Sequence, residues 1–192
     1  MAIDYLLDSW DEYHALALQL AKKILTDKVH IDEIVAISRG GLTLGHLLTD
    51  LLRVPISTFT IQSYTDIQAT GEVKITKPLT EPLYGKTILL VDDVSDRGIT
   101  MKRALEYLTM FTPKKIVTLT LYYKPHSVYK PDYYAKTTSA WISFPYEPTE
   151  MINNIYKSMK KEGKGDQEIQ KFLENLHYKK EHIAFVKKFY IK

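Results

Sequence analysis

Apolar and polar positions alternate along this chain between helical and strand-like spacing. Tyr13, Leu16, Ala17, Leu20 and Ile24 recur at helical intervals. Just ahead of them, Ser9-Trp10-Asp11-Glu12 has the form of a capping box, in which the Ser9 hydroxyl accepts from the Glu12 amide. A helix running to about Thr26 is expected. Ile34-Val35-Ala36-Ile37 is a short β-branched run, hence a buried strand. Ser38-Arg39-Gly40-Gly41 breaks it, Leu42 to Leu52 reads as a helix ended by Pro55, and Ile56 to Ile61 reads as a second strand. Thr87 to Val91 is a third buried strand, and Asp92 to Ile99 a loop. Thr100 to Phe111 is a helix with Met101, Ala104, Leu105 and Leu108 on one face, stopped by Pro113. Ile116 to Leu121 gives a fourth strand and Ser139 to Phe144 a candidate fifth.

Residues 62–82 have no clean period. They are polar, contain Thr70-Gly71 and are framed by Pro78 and Pro82, which suits a long loop or a splayed hairpin. After Pro148, Ile152, Ile155, Tyr156 and Met159 fit one amphipathic helix. Asp166 is placed to cap another carrying Ile169, Phe172, Leu173 and Leu176. Strand and helix alternate through residues 1–121, so the expected class is α/β, a parallel sheet flanked by helices. The expected division is a domain over residues 1–150 and a helical C-terminal extension over 151–192, packed on the body or at an oligomer interface.

The 192 residues suit one such domain with an appendage. The absence of cysteine excludes disulfides and thiol catalysis, and leaves oxygen or imidazole to hold any metal. Met1-Ala2-Ile3-Asp4 lacks the form of a secretion signal, and no apolar run approaches the roughly 20 residues of a membrane span. A cytoplasmic protein without membrane partners is expected. Residues 151–192 hold ten lysines against five acidic residues in a chain of net charge +3, so the body is mildly acidic. Those lysines are interleaved with Glu and Asp, which argues against a nucleic-acid partner. His177 and His182 read as packing or surface residues rather than metal ligands.

The chemistry concentrates in Ile88-Leu89-Leu90-Val91-Asp92-Asp93-Val94-Ser95-Asp96-Arg97-Gly98-Ile99-Thr100. An apolar strand delivers two carboxylates to its carboxyl end, where parallel sheets bind ligands. Adjacent like charges are costly unless a cation or hydroxyl groups meet them, and Mg²⁺ and a diol would do so. The turn from Asp96 to Thr100 then offers backbone amides at a helix start, a phosphate site assisted by Arg97. One loop could hold a metal, sugar hydroxyls and a phosphate in sequence.

This segment resembles the phosphoribosyl pyrophosphate signature of the type I phosphoribosyltransferases, departing from it at Arg97, where Thr or Ser is usual, and at Ile99, where Gly is common. Three further blocks stand in the family's order. Ser38-Arg39-Gly40-Gly41 resembles the pyrophosphate loop, which implies a cis bond between Arg39 and Gly40. Leu121-Tyr122-Tyr123-Lys124-Pro125 resembles the segment whose lysine meets the exocyclic oxygen of 6-oxopurines. Trp141-Ile142-Ser143-Phe144-Pro145-Tyr146-Glu147 resembles the purine-stacking segment of the xanthine-guanine and hypoxanthine-guanine enzymes, with Glu147 where an Asp near the metal is usual. Taken bare, Lys124 would more commonly be a snorkelling surface lysine, and Trp141 by default a core residue.

The resemblance spans about residues 30–150 and implies the type I fold with a flexible hood loop, in which Ser63-Tyr64 matches a lid pair. It implies transfer of ribose 5-phosphate from phosphoribosyl pyrophosphate to a 6-oxopurine. Asp96 would be the catalytic acid/base near purine N7. Asp92, Asp93, Arg97, Gly98, Ile99 and Thr100 would hold the ribose phosphate, and Arg39, Gly40 and Gly41 the pyrophosphate. Lys124, Trp141 and Ile142 would hold the base, with Mg²⁺ on Asp92, Asp93 and Glu147. Partners would be phosphoribosyl pyrophosphate, a purine and further copies of the chain, as a homodimer or larger. A non-catalytic sensor of phosphoribosyl pyrophosphate and an enzyme for another base are the alternatives, and a disordered surface loop is the alternative to the hood.

Overall fold

The computed structural model describes residues 4–63 and 73–191. Its elements run β1 (Tyr5–Leu7), α1 (Trp10–Thr26), β2 (Glu33–Ser38), α2 (Gly40–Leu52), β3 (Ile56–Ser63), β4 (Val73–Lys77), β5 (Thr87–Ser95), α3 (Ile99–Thr109), β6 (Lys115–Tyr123), β7 (Tyr133–Thr137), β8 (Trp141–Ser143), α4 (Pro148–Lys161), α5 (Asp166–Asn175) and α6 (Lys180–Tyr190). They form two compact units, residues 14–139 and residues 1–13 with 140–192. No helix among the described residues is long and apolar enough to cross a membrane.

The apolar runs of the larger unit become a six-stranded sheet of order β4-β3-β2-β5-β6-β7. All its pairs are parallel except β3 with β4. Successive residues of a strand face opposite ways. Val35, Ile37, Ile88 and Leu90 accordingly pack with Met101, Ala104 and Leu108 of α3, together with Phe59, Ile61, Leu79 and Leu83. Ile34 and Ala36 face α2 instead, where Gly45 permits close approach. A Cβ on Gly45 would lie 2.8 Å from Ile56 Cδ1 and 2.9 Å from Ala36 Cβ. Helices α2 and α3 thus cover opposite faces. From β2 the chain turns to β3 on one side, and from β5 to β6 on the other. The topological switch lies between β2 and β5, and in such sheets the crevice at that point takes the ligand.

The smaller unit has its own core of Met151, Ile152, Ile155, Tyr156, Ile169, Leu173, Tyr178, Ile183 and Val186 from α4, α5, α6 and the α5–α6 turn. The Ser9 half of the capping box is formed here, the Glu12 amide donating to Ser9 Oγ at 3.1 Å. The parallel ribbon of β1 and β8 completes this unit.

Several expectations are corrected. β5 continues through Asp92 to Ser95, because β6 keeps pairing with it to Tyr123. The candidate fifth strand β8 pairs with β1 rather than joining the main sheet, whose last strand is β7. Of the two readings of residues 62–82, the hairpin holds, since β4 pairs antiparallel with β3, while residues 64–72 of the expected lid, Tyr64 among them, lie outside the described residues. The cis peptide bond is Ser38-Arg39, one residue earlier than expected, since Gly40 is already the first residue of α2. Asp166 does not cap α5. It is the helix's first residue, and its carboxylate takes the Tyr156 hydroxyl at 2.6 Å and the Lys160 ammonium instead.

Candidate active site

β5 pairs with β2 only as far as Val91, opposite Ala36, but follows β6 to Ser95. Asp92 and Asp93 therefore emerge where the β2 side of the strand has come free, at the switch point. Asp92 is buried and accepts the Asp93 amide at 3.1 Å. Burial, joined by the neighbouring Asp93 charge, pushes its carboxyl well above the usual carboxylate range, against the opposing pull of the Asp93 and Gly41 amides. Asp93 Oδ1 accepts the Val94 amide at 2.6 Å.

The start of α2 closes on this acidic pair. A Cβ on Gly40 would lie 2.5 Å from Asp93 Oδ2, and one on Gly41 would run into the Val91 carbonyl. Only glycine allows so close an approach. Helix α2 begins without an acidic residue in its first turn, and so does α3. Two helix starts without an acidic residue of their own thus follow adjacent strands at the same end of the sheet, and the Asp92 and Asp93 carboxyls stand at the first of them. A cavity of about 560 Å³ is lined by Val73 and every residue from Asp92 to Met101. That volume suits a small ligand.

A loop that the sequence marked only at Lys124 and Pro125 holds the signature loop in place. Lys124 follows β6, is buried, and its amide donates to the Ser95 carbonyl at 3.1 Å. Its ammonium meets Asp96 Oδ1 at 3.4 Å, and His126 Nε2 meets the same oxygen at 3.0 Å. Ser95 Oγ lies 2.9 Å from Ser127 Oγ and donates to the Tyr129 carbonyl at 2.7 Å, while the Val128 amide donates to the Arg97 carbonyl at 3.1 Å. The signal for this loop was faint, a short polar stretch after a strand-ending lysine.

Gly98 caps α3 at φ 78°, in the left-handed region, and a Cβ there would lie 2.5 Å from Ser127 Oγ and 2.6 Å from the Tyr129 amide nitrogen. Gly98→Ala is expected to destabilise the protein by about 1–3 kcal/mol through backbone strain, with the overlap adding to it. The denaturant midpoint checks this.

The structure therefore brings Arg39, Gly40, Gly41, Asp92, Asp93, Asp96, Arg97, Gly98, Ile99, Thr100 and Lys124 into one unit, along two adjoining loops and the strand end beside them. Trp141, Ile142 and Glu147 belong to the other unit. There Trp141 and Ile142 open β8, and Glu147 precedes α4. Lys124 is not a surface lysine and Trp141, 54% exposed, is not a core residue.

The chain matches the model of the phosphoribosyl transferase domain over residues 9–151. It is 30% identical over 149 residues to a xanthine-guanine phosphoribosyltransferase of Gluconobacter oxydans, covering 76% of this chain and 86% of that protein. It is 29% identical over 142 residues to the xanthine-guanine phosphoribosyltransferase of Idiomarina loihiensis, covering 72% and 84%. A purine phosphoribosyltransferase from Pyrococcus horikoshii superposes with a TM-score of 0.70 at 31% identity, over 76% of this chain and 95% of that one. The matched span contains the acidic strand end and both glycine-assisted helix starts, and on these grounds the chain belongs to the phosphoribosyl transferase domain family.

Proposed function

We propose that this chain is a 6-oxopurine phosphoribosyltransferase of purine salvage, which moves ribose 5-phosphate from phosphoribosyl pyrophosphate to N9 of guanine, hypoxanthine or xanthine. The observation that carries this reading is the cavity lined without interruption from Asp92 to Met101, beside the start of α2. The names of its relatives support the purine as acceptor. A homodimeric or larger cytoplasmic enzyme with a helical extension after residue 150 belongs to the same reading.

The donor set fits Mg²⁺. No group of three or more metal-binding side chains occurs among the described residues, but Mg²⁺ characteristically takes one or two carboxylates and completes its shell with water and substrate oxygens. The buried Asp92 beside Asp93 also brings two carboxyl groups together where their joint ionisation is disfavoured, which a divalent cation would relieve. Asp92 and Asp93 would hold the ion, which supplies positive charge to the departing pyrophosphate.

The remaining work falls to the chain. Asp92 and Asp93 accept from the ribose hydroxyls. The amides and side chains of Arg97, Gly98, Ile99 and Thr100 hold the 5-phosphate at the start of α3. Arg39, Gly40 and Gly41 present amides to pyrophosphate, where negative charge grows as its bond to C1 breaks. Asp96 exchanges a proton with the purine near N7. Lys124 donates to the exocyclic oxygen, and because an ammonium can only donate, it favours a carbonyl over the amino group of adenine. Trp141 and Ile142 are assigned to the purine ring by resemblance.

In a panel of nucleobases with phosphoribosyl pyrophosphate and Mg²⁺, pyrophosphate release is expected with guanine, hypoxanthine or xanthine. Adenine, uracil and orotate should give about 10³-fold less or lower, as expected when a buried polar group is left mispaired. Release with none of the bases would overturn the reading in favour of a non-catalytic sensor. Equal release with adenine would remove Lys124 as the selector.

A further inference from the structure

β8 is three residues long and pairs with one partner, β1, of the same length. A two-stranded ribbon is at best marginal in water, so its position has to be fixed by what packs on it. In this unit that is the C-terminal helices. Tyr5 and Leu7 of β1 are partly buried against the α4–α5–α6 core, and the Tyr5 ring meets Phe172 edge-on at 6.0 Å. β8 is tied by a polar contact, the Tyr178 hydroxyl donating to Ser143 Oγ at 2.7 Å, and only 7% of Tyr178 and 2% of Ser143 are exposed.

The end of α5 directs Tyr178 there. His177 adopts φ 66°, its amide donates to the Glu174 carbonyl at 2.9 Å, and the Tyr178 amide donates to the Leu173 carbonyl at 3.2 Å. This pair of bonds is a Schellman ending, and it places the residue after the left-handed position over the last turn. Tyr178 accordingly shares a core with Leu173. Burial raises the Tyr178 pKa to about 12, so its hydroxyl keeps its proton and its donor role at neutral pH.

Residues two apart on a strand share a face. Ser143 therefore lies on the face of Trp141, which is half exposed, while Ile142 turns the other way and is buried. A bond to Ser143 Oγ restrains the rotation and translation of β8, and with them the lie of the Trp141 ring. From this geometry we infer that Tyr178 is a positioning residue for purine recognition, and that the helical segment it belongs to is the mount of the base-stacking strand. The inference rests on the assignment of Trp141 and Ile142 to the purine in the function proposed above. Tyr178 lies beyond residue 151, where the family match ends.

The test uses the full-length protein with Tyr178→Phe, Ser143→Ala and the double variant. KM for the 6-oxopurine, KM for phosphoribosyl pyrophosphate, kcat and melting temperature are read for each. Tyr178→Phe keeps the ring and removes one hydroxyl. It is expected to raise the purine KM about three- to tenfold, the worth of one buried hydrogen bond, with KM for phosphoribosyl pyrophosphate within about twofold. Ser143→Ala should do the same, and the double variant should be no worse than either alone, since both remove one interaction. A lower melting temperature with unchanged purine KM would overturn the inference and leave Tyr178 a packing residue. So would equal rises in both KM values, or additive effects in the double variant. A wild-type protein that turns over no 6-oxopurine would instead overturn the function on which the inference rests.

Discussion

Asp96→Asn is expected to lower kcat for base-dependent pyrophosphate release by about 10²–10⁴-fold, the usual worth of a positioned acid or base. Asp96 lines the cavity and follows directly on β5. Its Oδ1 is met by the Lys124 ammonium at 3.4 Å and by His126 Nε2 at 3.0 Å, which hold the carboxyl group in one orientation before any substrate arrives. Asparagine has nearly the same shape but cannot take up or return a proton. It also leaves the buried Lys124 facing a neutral amide, a weaker partner than the carboxylate. Steady-state kinetics with saturating phosphoribosyl pyrophosphate check this, and an unchanged kcat would remove Asp96 from proton transfer.

Asp92→Asn is expected to have the opposite effects on stability and activity. Asp92 is buried, and its charged form is disfavoured first by that burial and then by Asp93. A neutral amide removes the repulsion and keeps one oxygen for the Asp93 amide, which now reaches Asp92 Oδ1 at 3.1 Å, while its NH2 cannot accept from Gly41 and gives back part of the gain. Relief of a poorly compensated buried charge should stabilise the protein by on the order of 1–3 kcal/mol. In a chain of this length each kcal/mol raises the melting temperature by about 2–4 °C. The same change removes one of the two carboxylates assigned to the ribose and the metal, so turnover should fall at least about 10²-fold. Sites that bind charge are often destabilising in the free protein, and this residue combines both properties. Thermal unfolding and turnover of the one variant test both halves, and a lower melting temperature would contradict the account of Asp92.

The strands and helices around the site were legible because each carries an unmixed signal. Ile34 to Ile37, Thr87 to Val91 and Ile116 to Leu121 are buried apolar runs, and all three are strands of the main sheet. Met101, Ala104 and Leu108 keep helical spacing and form the buried face of α3. β7 was missed because Tyr133-Tyr134-Ala135-Lys136-Thr137 is an edge strand, only partly buried, without an apolar run. β1 was hidden by its length of three residues, which depends on tertiary support rather than on local preference, and β8 was foreseen within Ser139 to Phe144 but not its pairing with β1. The reach of β5 to Ser95 was unreadable because Asp92 and Asp93 look like a strand end, whereas pairing with Tyr122 and Tyr123 extends the strand on one side alone.

The candidate site was legible to a similar degree. The order of Asp92, Asp93, Asp96, Gly98 and Thr100 pointed to a single cavity, and these residues line it. The loop from Lys124 to Tyr129 that braces them was not foreseen beyond Lys124. Its grip runs through Ser127, Val128, the Tyr129 carbonyl and His126, residue types too common to stand out without their partners. The contact between Gly40 and Asp93 could likewise not be read from two segments more than fifty residues apart.

The most direct measurement of the central claim is a crystal structure of the protein with phosphoribosyl pyrophosphate and Mg²⁺. The 5-phosphate is expected against the amides at the start of α3, the ribose hydroxyls on Asp92 and Asp93, and the pyrophosphate beside Arg39, Gly40 and Gly41. A well-ordered ligand bound elsewhere, with the cavity from Asp92 to Met101 holding only solvent, would contradict the account.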